Sequence, residues 1–285
     1  VLSIPRDIDF YYSSGGFHST ETYETVMINA KENIKLIFST NVFKTVIKGN
    51  RLMISIGDLL KTALTKSTII FMSSIILAVL FGIVKGIFDS RRKKDSTLKL
   101  LVTLFPLSIP DIFSVVLIQT FGAFLYFKGI KFLGLGPIMY VGSDSWIQSI
   151  YPIIAISIVP AAYIARITAS AIERVYDKDY ILAAKGKGCS EFRIIMVHTM
   201  KNALAEIIAA FPNIIAIMFS SLVVVEVVFS YKGLGYYIYT LNYHAEQGGR
   251  MGFIVLLLTM VAIYYGLMII TSILKDVILP DAGEL

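Results

Sequence analysis

Charge and cysteine are what this sequence is short of. Its 285 residues include one cysteine, Cys189, one tryptophan and three histidines, and only 16% are charged, against about 25% in an ordinary soluble domain. A single cysteine excludes an internal disulfide, and Cys189 has no metal-ligand partner by spacing, so it reads as a small filler. His18, His198 and His244 are scattered, and no His-Glu-x-x-His pair exists to make a metalloprotease. No Gly-x-Ser-x-Gly nucleophile elbow occurs either. Residues 184–190, AKGKGCS, lack the Gly-x4-Gly-Lys-Ser/Thr spacing of a phosphate loop, and no acidic metal-binding strand follows them. Neither catalytic residues nor a metal site is therefore expected, and the chain should not hold ATP itself.

Apolar residues fill the space that charge leaves. Hydrophobic residues reach 56%, above the roughly 45–50% of globular domains, and mean hydropathy is +0.73. A soluble chain has little reason to carry so much apolar surface, so the protein reads as membrane-embedded. The net charge of +6 does not indicate nucleic acid, because the basic residues gather between apolar segments rather than on one polar face. Orientation across a bilayer accounts for them.

Residues 1–57 are polar and read as an extracytoplasmic loop region with a helix over 20–38, too small for an independent core. Residues 58–274 form the membrane domain, with Asp58 as the expected cap of its first helix. The predicted spans are 68–88, 100–127, 147–171, 204–229 and 251–274, each long enough for about 30 Å of hydrocarbon. Gly82 and Gly86 in the first span are either a close-packing motif or incidental. Arg91-Arg92-Lys93-Lys94 marks the cytoplasmic side, and the tail 275–285 is expected there too. Pro106 and Pro110 interrupt the second span, Pro152 and Pro160 kink the third, and Pro212 breaks the fourth. Asp111 would lie near mid-depth, where a lone acid is costly and should face a cavity or a partner. Contact with a cationic part of a solute and a structural pair to a neighbouring helix both fit it. Pro110, Asp111 and Glu226, the last near the outer end of the fourth span, are the candidates for a translocation pathway. The tyrosine-rich segment 230–250 suits a short helix at the outer surface.

The basic interruption Asp179–Ala203 organises the rest. Asp179 opens a short amphipathic helix, and Lys185 and Lys187 favour its C-terminal end. Gly186 and Gly188 allow a turn, and Ser190 caps a second helix running through Ile194, Ile195 and Val197. Such a helix–turn–helix elbow is a handle for something outside the bilayer.

Ala183-Ala184, then Gly188, then His198-Thr199-Met200-Lys201-Asn202-Ala203 resemble the cytoplasmic "EAA" loop of ABC-importer permeases, and the ending resembles the oligopeptide/dipeptide/nickel branch. Ala161–Arg166 before the loop, and Val223–Phe229 with Gly233-Leu234-Gly235 after it, agree in order. Leu182 stands where the superfamily has Glu, and Lys201 where many members have Pro. Asp111 departs from the family's Ser-Ile-Pro neighbourhood. The resemblance is to a B-type subunit and implies an all-α, type-I importer permease fold, with a further membrane helix preceding Val1. It implies a bacterial cytoplasmic membrane protein that works with a second homologous permease, two cytoplasmic ATPases and an extracytoplasmic solute-binding protein. ATP and magnesium would belong to the ATPases, and this chain would carry no cofactor. Coupling would run through Asp179, Tyr180, Ala183, Ala184, Lys185, Gly188 and Ser190, with small residues at 183, 184 and 188 letting the elbow helix seat closely on an ATPase. Peptides are the expected solute. Nickel or a metal chelate fits the same motifs, and a channel or receptor-like membrane protein is the reading from another class.

Overall fold

The computed structural model describes residues 10–13, 16–19, 35, 43–44, 46–48, 53–90, 105–130, 138–176, 178–243 and 249–278. All but residue 35 of the expected helix over 20–38, the basic run 91–94, the start of the second span, His244 and most of the tail lie outside the described residues. So do the side chains of Lys185 and His198.

The chain clusters into two units, Val1–Ala63 with Tyr237–Thr259, and Leu64–Tyr236 with Met260–Leu285. The first contains two antiparallel hairpins. Strand β1 (Phe10–Ser13) pairs with β2 (Gly16–Ser19), and β3 (Val46–Lys48) pairs with β4 (Met53–Ser55). Among the described residues, short strands thus precede a run of helices. The first helix, α1 (Ile56–Ser90), starts earlier than the sequence suggests. Its cap is Ser55, whose Oγ accepts from the Asp58 N–H at 3.1 Å and donates to Asp58 Oδ2 at 2.6 Å. Asp58 is therefore the first-turn acid of a capped helix rather than the cap itself.

In the second unit the long helices are α1, α3 (Ile150–Tyr176), α5 (Met200–Val228) and the greater part of α7 (Gly249–Ile278), with the shorter α2 (Asp111–Phe127) beside them. Among the described residues, four helices are long and apolar enough to cross a membrane, and α2 is a shorter apolar helix. The hydrophobic effect cannot hold such helices together inside lipid, so close packing must. The sequence of α1 shows how. Ser67, Ile70, Ser74, Ala78, Gly82 and Gly86 are buried at helical spacing, while Ile69, Met72, Ile76, Leu80, Val84 and Phe88 are exposed. Small residues face the protein and large apolar ones face outward.

The two glycines are a packing motif. A Cβ on Gly82 would fall 2.7 Å from Ile164 Cβ, and one on Gly86 would fall 2.5 Å from Thr168 Cβ. Only glycine lets α1 approach α3 this closely. Ser74 Oγ adds a bond to the Ile153 carbonyl at 3.1 Å further along the same pair, so α1 and α3 run parallel. The core also includes Ile156, Ile207, Met218, Leu222 and Phe229. Phe219 stacks edge-on against both Phe71 and Tyr264, linking α5 to α1 and α7.

The prolines behave differently from one another. Residues 105–108 are helical, the chain breaks at 109–110, and α2 begins afresh at Asp111 with Pro110 as its extended N-cap. Pro152 lies in the first turn of α3, where its missing N–H has no intrahelical acceptor to serve. The expected break at Pro212 does not occur: α5 runs through it, as α3 runs through Pro160.

Candidate functional site

At one end of the second unit, α3 and α5 lead into the elbow. Helix α4 (Asp179–Gly186) is followed by a turn, a single helical turn Glu191–Arg193, and a π-helical stretch Ile194–Thr199 that feeds α5. The expected second helix is thus mostly the wider π form, which often marks functional segments. Val175, Ile181, Ala184 and Ile194 form a small buried cluster with Cys189 packed against it. The elbow therefore has a core of its own and can act as a solid part. Arg174 on α3 pairs with Glu206 on α5 beside it, both substantially exposed, so the pair adds little stability but joins the two helices that carry the elbow.

The seven candidate coupling residues divide by what they do locally. Asp179 is exposed in the first turn of α4, and Tyr180 and Ala183 also face outward. Ala184 faces inward, and its small size serves the elbow's own core. Ser190 accepts from the Arg193 N–H at 3.4 Å and caps the next turn. Gly188 has nothing within 4 Å of a notional Cβ, but its φ is +78°, a left-handed conformation that favours glycine. The Cys189 N–H bonds the Ala184 carbonyl at 3.2 Å, closing α4 with a Schellman-type cap. Backbone geometry thus favours glycine at 188, in keeping with the turn expected there, and this requirement is separate from the close seating that the resemblance implies. Leu182 and Phe192 join Tyr180 as large exposed apolar groups on the elbow.

The opposite end of α5 holds a buried carboxylate. Glu226 is fully buried, and a charge there must be paired. It accepts from Ser67 Oγ at 2.5 Å, from the Gly235 N–H at 2.6 Å and from the Tyr236 N–H at 3.3 Å. Ser67 Oγ in turn accepts from the Leu234 N–H at 2.8 Å. The last three donors open helix α6 (Leu234–Tyr243), whose first-turn N–H groups have no intrahelical acceptor and favour negative charge. Gly233 and Gly235 make the approach feasible: a Cβ at 233 would lie 2.1 Å from Glu226 Oε1, and one at 235 would lie 2.7 Å from Val223 Cα.

Around this cage lies a polar knot. Lys66 Nζ donates to the carbonyl and the Oγ of Ser143, both at 2.7 Å. Lys232 pairs with Asp144 at 3.0 Å, and its backbone N–H reaches Ser143 Oγ at 3.3 Å. The hydroxyls of Ser149 and Tyr231 meet at 3.0 Å, and Gln119 Nε2 donates to the Val228 carbonyl at 2.6 Å. The Lys232 ammonium, hydrogen-bonded to Asp144, holds that carboxyl below the usual carboxylate range. Burial pushes the Tyr231 phenol up, against the opposing effect of Ser149.

Asp111 is the other acid among the pathway candidates. It sits at the N-terminus of α2, where the helix dipole favours it, and Ser221 Oγ donates to its Oδ2 at 2.8 Å. Asp111 is therefore level with Ser221, toward the Glu226 end of α5, rather than inside a continuous helix. The fold does not join it to Glu226; each acid has its own partners, and Pro110 beside Asp111 is exposed. Ser67 was not singled out in the sequence, although small residues recurring along α1 at Ser67, Ser74, Ala78, Gly82 and Gly86 mark the face on which it lies.

Comparison with known proteins follows the same outline. The family described as "binding-protein-dependent transport system inner membrane component" matches residues 74–283. The dipeptide transport system permease protein DppB of Bacillus subtilis (strain 168) is 30% identical over 227 residues, covering 75% of this chain and 70% of that protein. The glutathione transport system permease protein GsiC of Escherichia coli (strain K12) is 29% identical over 166 residues, 57% of this chain and 51% of that protein, so the match spans about half of GsiC. Among solved structures, the MetNI methionine ABC transporter in an inward facing conformation superposes with a TM-score of 0.59 at 15% identity, over 77% of this chain and 96% of that one. An amino acid ABC transporter superposes with a TM-score of 0.52 at 18% identity, over 78% and 92%.

Proposed function

The chain belongs to the binding-protein-dependent transport system inner membrane component family, the permeases of ABC importers, and from that premise we propose that it passes peptides through a bacterial cytoplasmic membrane. The likeness to DppB and GsiC, whose names give dipeptide and glutathione transport, supports a peptide solute over nickel or a metal chelate. A permease of this family works in a complex with ATPase and binding-protein partners. The composition we infer is one homologous second permease, two cytoplasmic ATPases that hold ATP and magnesium, and an extracytoplasmic solute-binding protein.

The observation that carries this reading is the elbow. Tyr180, Leu182 and Phe192 are exposed on a segment whose interior is independently packed, at the joint between two membrane-length helices. Closure of the ATPases would press on these exposed apolar groups. Because the elbow is solid, the push would move α3 and α5 instead of deforming the loop. Rotation of these helices would switch access to a central pathway, with Asp111 and the α2 start at Pro110 the residues nearest to serving as its polar lining. Glu226, fully enclosed, would act on the pathway's shape.

Affinity purification of the full-length tagged chain in mild detergent, with every co-purifying subunit identified by mass, tests the assembly. Recovery of ATPases and a second permease is expected, followed by ATP-dependent uptake of radiolabelled dipeptide into proteoliposomes. Reproducible recovery of the folded chain alone would overturn the importer assembly in favour of a channel or receptor. Uptake of nickel but no peptide would overturn the solute.

A further inference from the structure

We infer that Ser67 and Glu226 are a positioning pair that carries movement of the elbow to the start of helix α6, at the other end of α5. The inference rests on the importer reading and adds to it the route by which the ATPase state reaches the far side. Helix α5 leaves the elbow at Met200 and is continuous to Val228, a length of about 43 Å, which exceeds the roughly 30 Å hydrocarbon core. Glu226 stands in its last turn. The same carboxylate binds the first turn of α6 directly through Gly235 and Tyr236, and Ser67 binds Leu234.

Ser67 also makes α1 a tie between the two helices that carry the elbow. At Ser67, α1 is bonded to α5 through Glu226. Further along, at Gly82 and Gly86, it is pressed against Ile164 and Thr168 of α3, toward the end of α3 that enters the elbow. Beside the elbow, Arg174 and Glu206 join α3 to α5 directly. Three helices are thus pinned at separated heights, and a displacement of α3 and α5 cannot be absorbed by sliding along α1. Apolar packing alone would permit register slips, whereas a buried carboxylate with directional donors specifies one arrangement. The start of α6 hangs on that arrangement.

The role is separable from packing because of the space beside Ser67. A cavity of about 100 Å³ borders it, lined by Leu64, Thr68, Phe71, Phe219 and Leu222 among others. Because Ser67 itself lines this cavity, a threonine at 67 keeps the hydroxyl with space nearby for its extra methyl, while an alanine removes the hydroxyl and leaves the apolar contacts in place.

The test uses the purified complex in proteoliposomes, with Cys189→Ser and Tyr239→Cys as the parent background. Tyr239 is half-exposed on α6. The readout is the rate of labelling at position 239 by a membrane-impermeant maleimide, compared between the nucleotide-free and the ATP–vanadate-trapped state, with ATP hydrolysis measured in parallel. In the parent the labelling rate changes several-fold on trapping. Ser67→Thr keeps that change. Ser67→Ala brings the ratio to about one, because a site with no differential contact shifts nothing, while ATP hydrolysis stays at the parent level. A full labelling change in Ser67→Ala overturns the inference, as does equal loss in Ser67→Thr, which would assign the effect to packing. A parent that hydrolyses ATP without any labelling change overturns it too and leaves the importer reading standing. Absence of co-purifying ATPases removes both.

Discussion

Glu226 and Gly233 compete for one volume: a methyl group at 233 would sit 2.1 Å from Glu226 Oε1. The two residues belong to a motif, Glu226 to Gly235, in which the acid at the end of one helix binds the N-terminus of the next. Gly233→Ala should force the carboxylate out of its cage and lower the thermal midpoint of the solubilised complex, at an overpacking cost of about 1–3 kcal/mol. Glu226→Ala should also destabilise, by stranding the Gly235 and Tyr236 donors. The double variant is expected to lose less than the two single losses combined, since removing the carboxylate vacates the space the methyl needs. Additive losses would show that the residues do not share this volume in the membrane.

Close packing of α1 on α3 makes a second prediction. Gly82→Leu and Gly86→Leu should each separate the helices and abolish recovery of a folded complex by size exclusion. Gly266→Ala, in α7, has nothing within 4 Å of the new methyl and should behave as wild type. A Gly86→Leu complex as stable as the parent would count against the α1–α3 contact.

Much of this architecture was legible because hydropathy and charge are local signals. The spans predicted at 68–88, 147–171, 204–229 and 251–274 fall almost entirely on long helices, most of which run on beyond them at one end or both, since polar residues at helix ends are tolerated where a cap or the water interface satisfies them. The elbow at Asp179–Gly188 was legible for the same reason: acid first, basic residues last, glycines at the turn. The environment of Glu226 was not. An acid in an apolar run signals a need for partners, but its partner Ser67 is 159 residues away, and no local pattern encodes that distance. Pro212 misled in the other direction. Loss of one N–H suggests a broken helix, yet close neighbours on several sides hold α5 continuous. The reason for Gly188 also required the backbone, because sequence cannot separate a glycine kept for space from one kept for φ.

The Asp144–Lys232 pair gives a pH prediction. Lys232 lowers the Asp144 pKa below its ordinary value of about 4, so the pair contributes stability above the unfolded-state pKa and loses it as pH falls through the folded one. Asp144→Asn should therefore lower the thermal midpoint slightly near pH 7, and the difference from wild type should shrink as pH falls below about 4 and vanish once pH is below the folded-state pKa. The carboxylate is highly exposed, so high salt should also erase the difference. A gap between the two proteins that persists in acid would locate the effect of the substitution elsewhere.

Gly188 offers the sharpest test of the elbow, because backbone and surface requirements can be varied separately. At φ +78° a residue with a Cβ is strained by about 1–2 kcal/mol, with asparagine the best tolerated. Gly188→Asn should keep the α4 cap and most of the transport. Gly188→Val should open the Schellman turn, loosen the seat of Cys189 and reduce transport while the protein remains in the membrane. Gly188→Trp adds bulk to that strain, and among the described residues nothing lies within 4 Å of a Cβ at this exposed position, so the added ring would meet whatever docks on the elbow. Inserted protein with no transport is expected, together with loss of ATPase subunits on purification. If Gly188→Trp transported normally, the elbow would not be the coupling surface. If Gly188→Asn failed as completely as Gly188→Trp, close approach of a partner, rather than the left-handed turn, would be what glycine serves at this position.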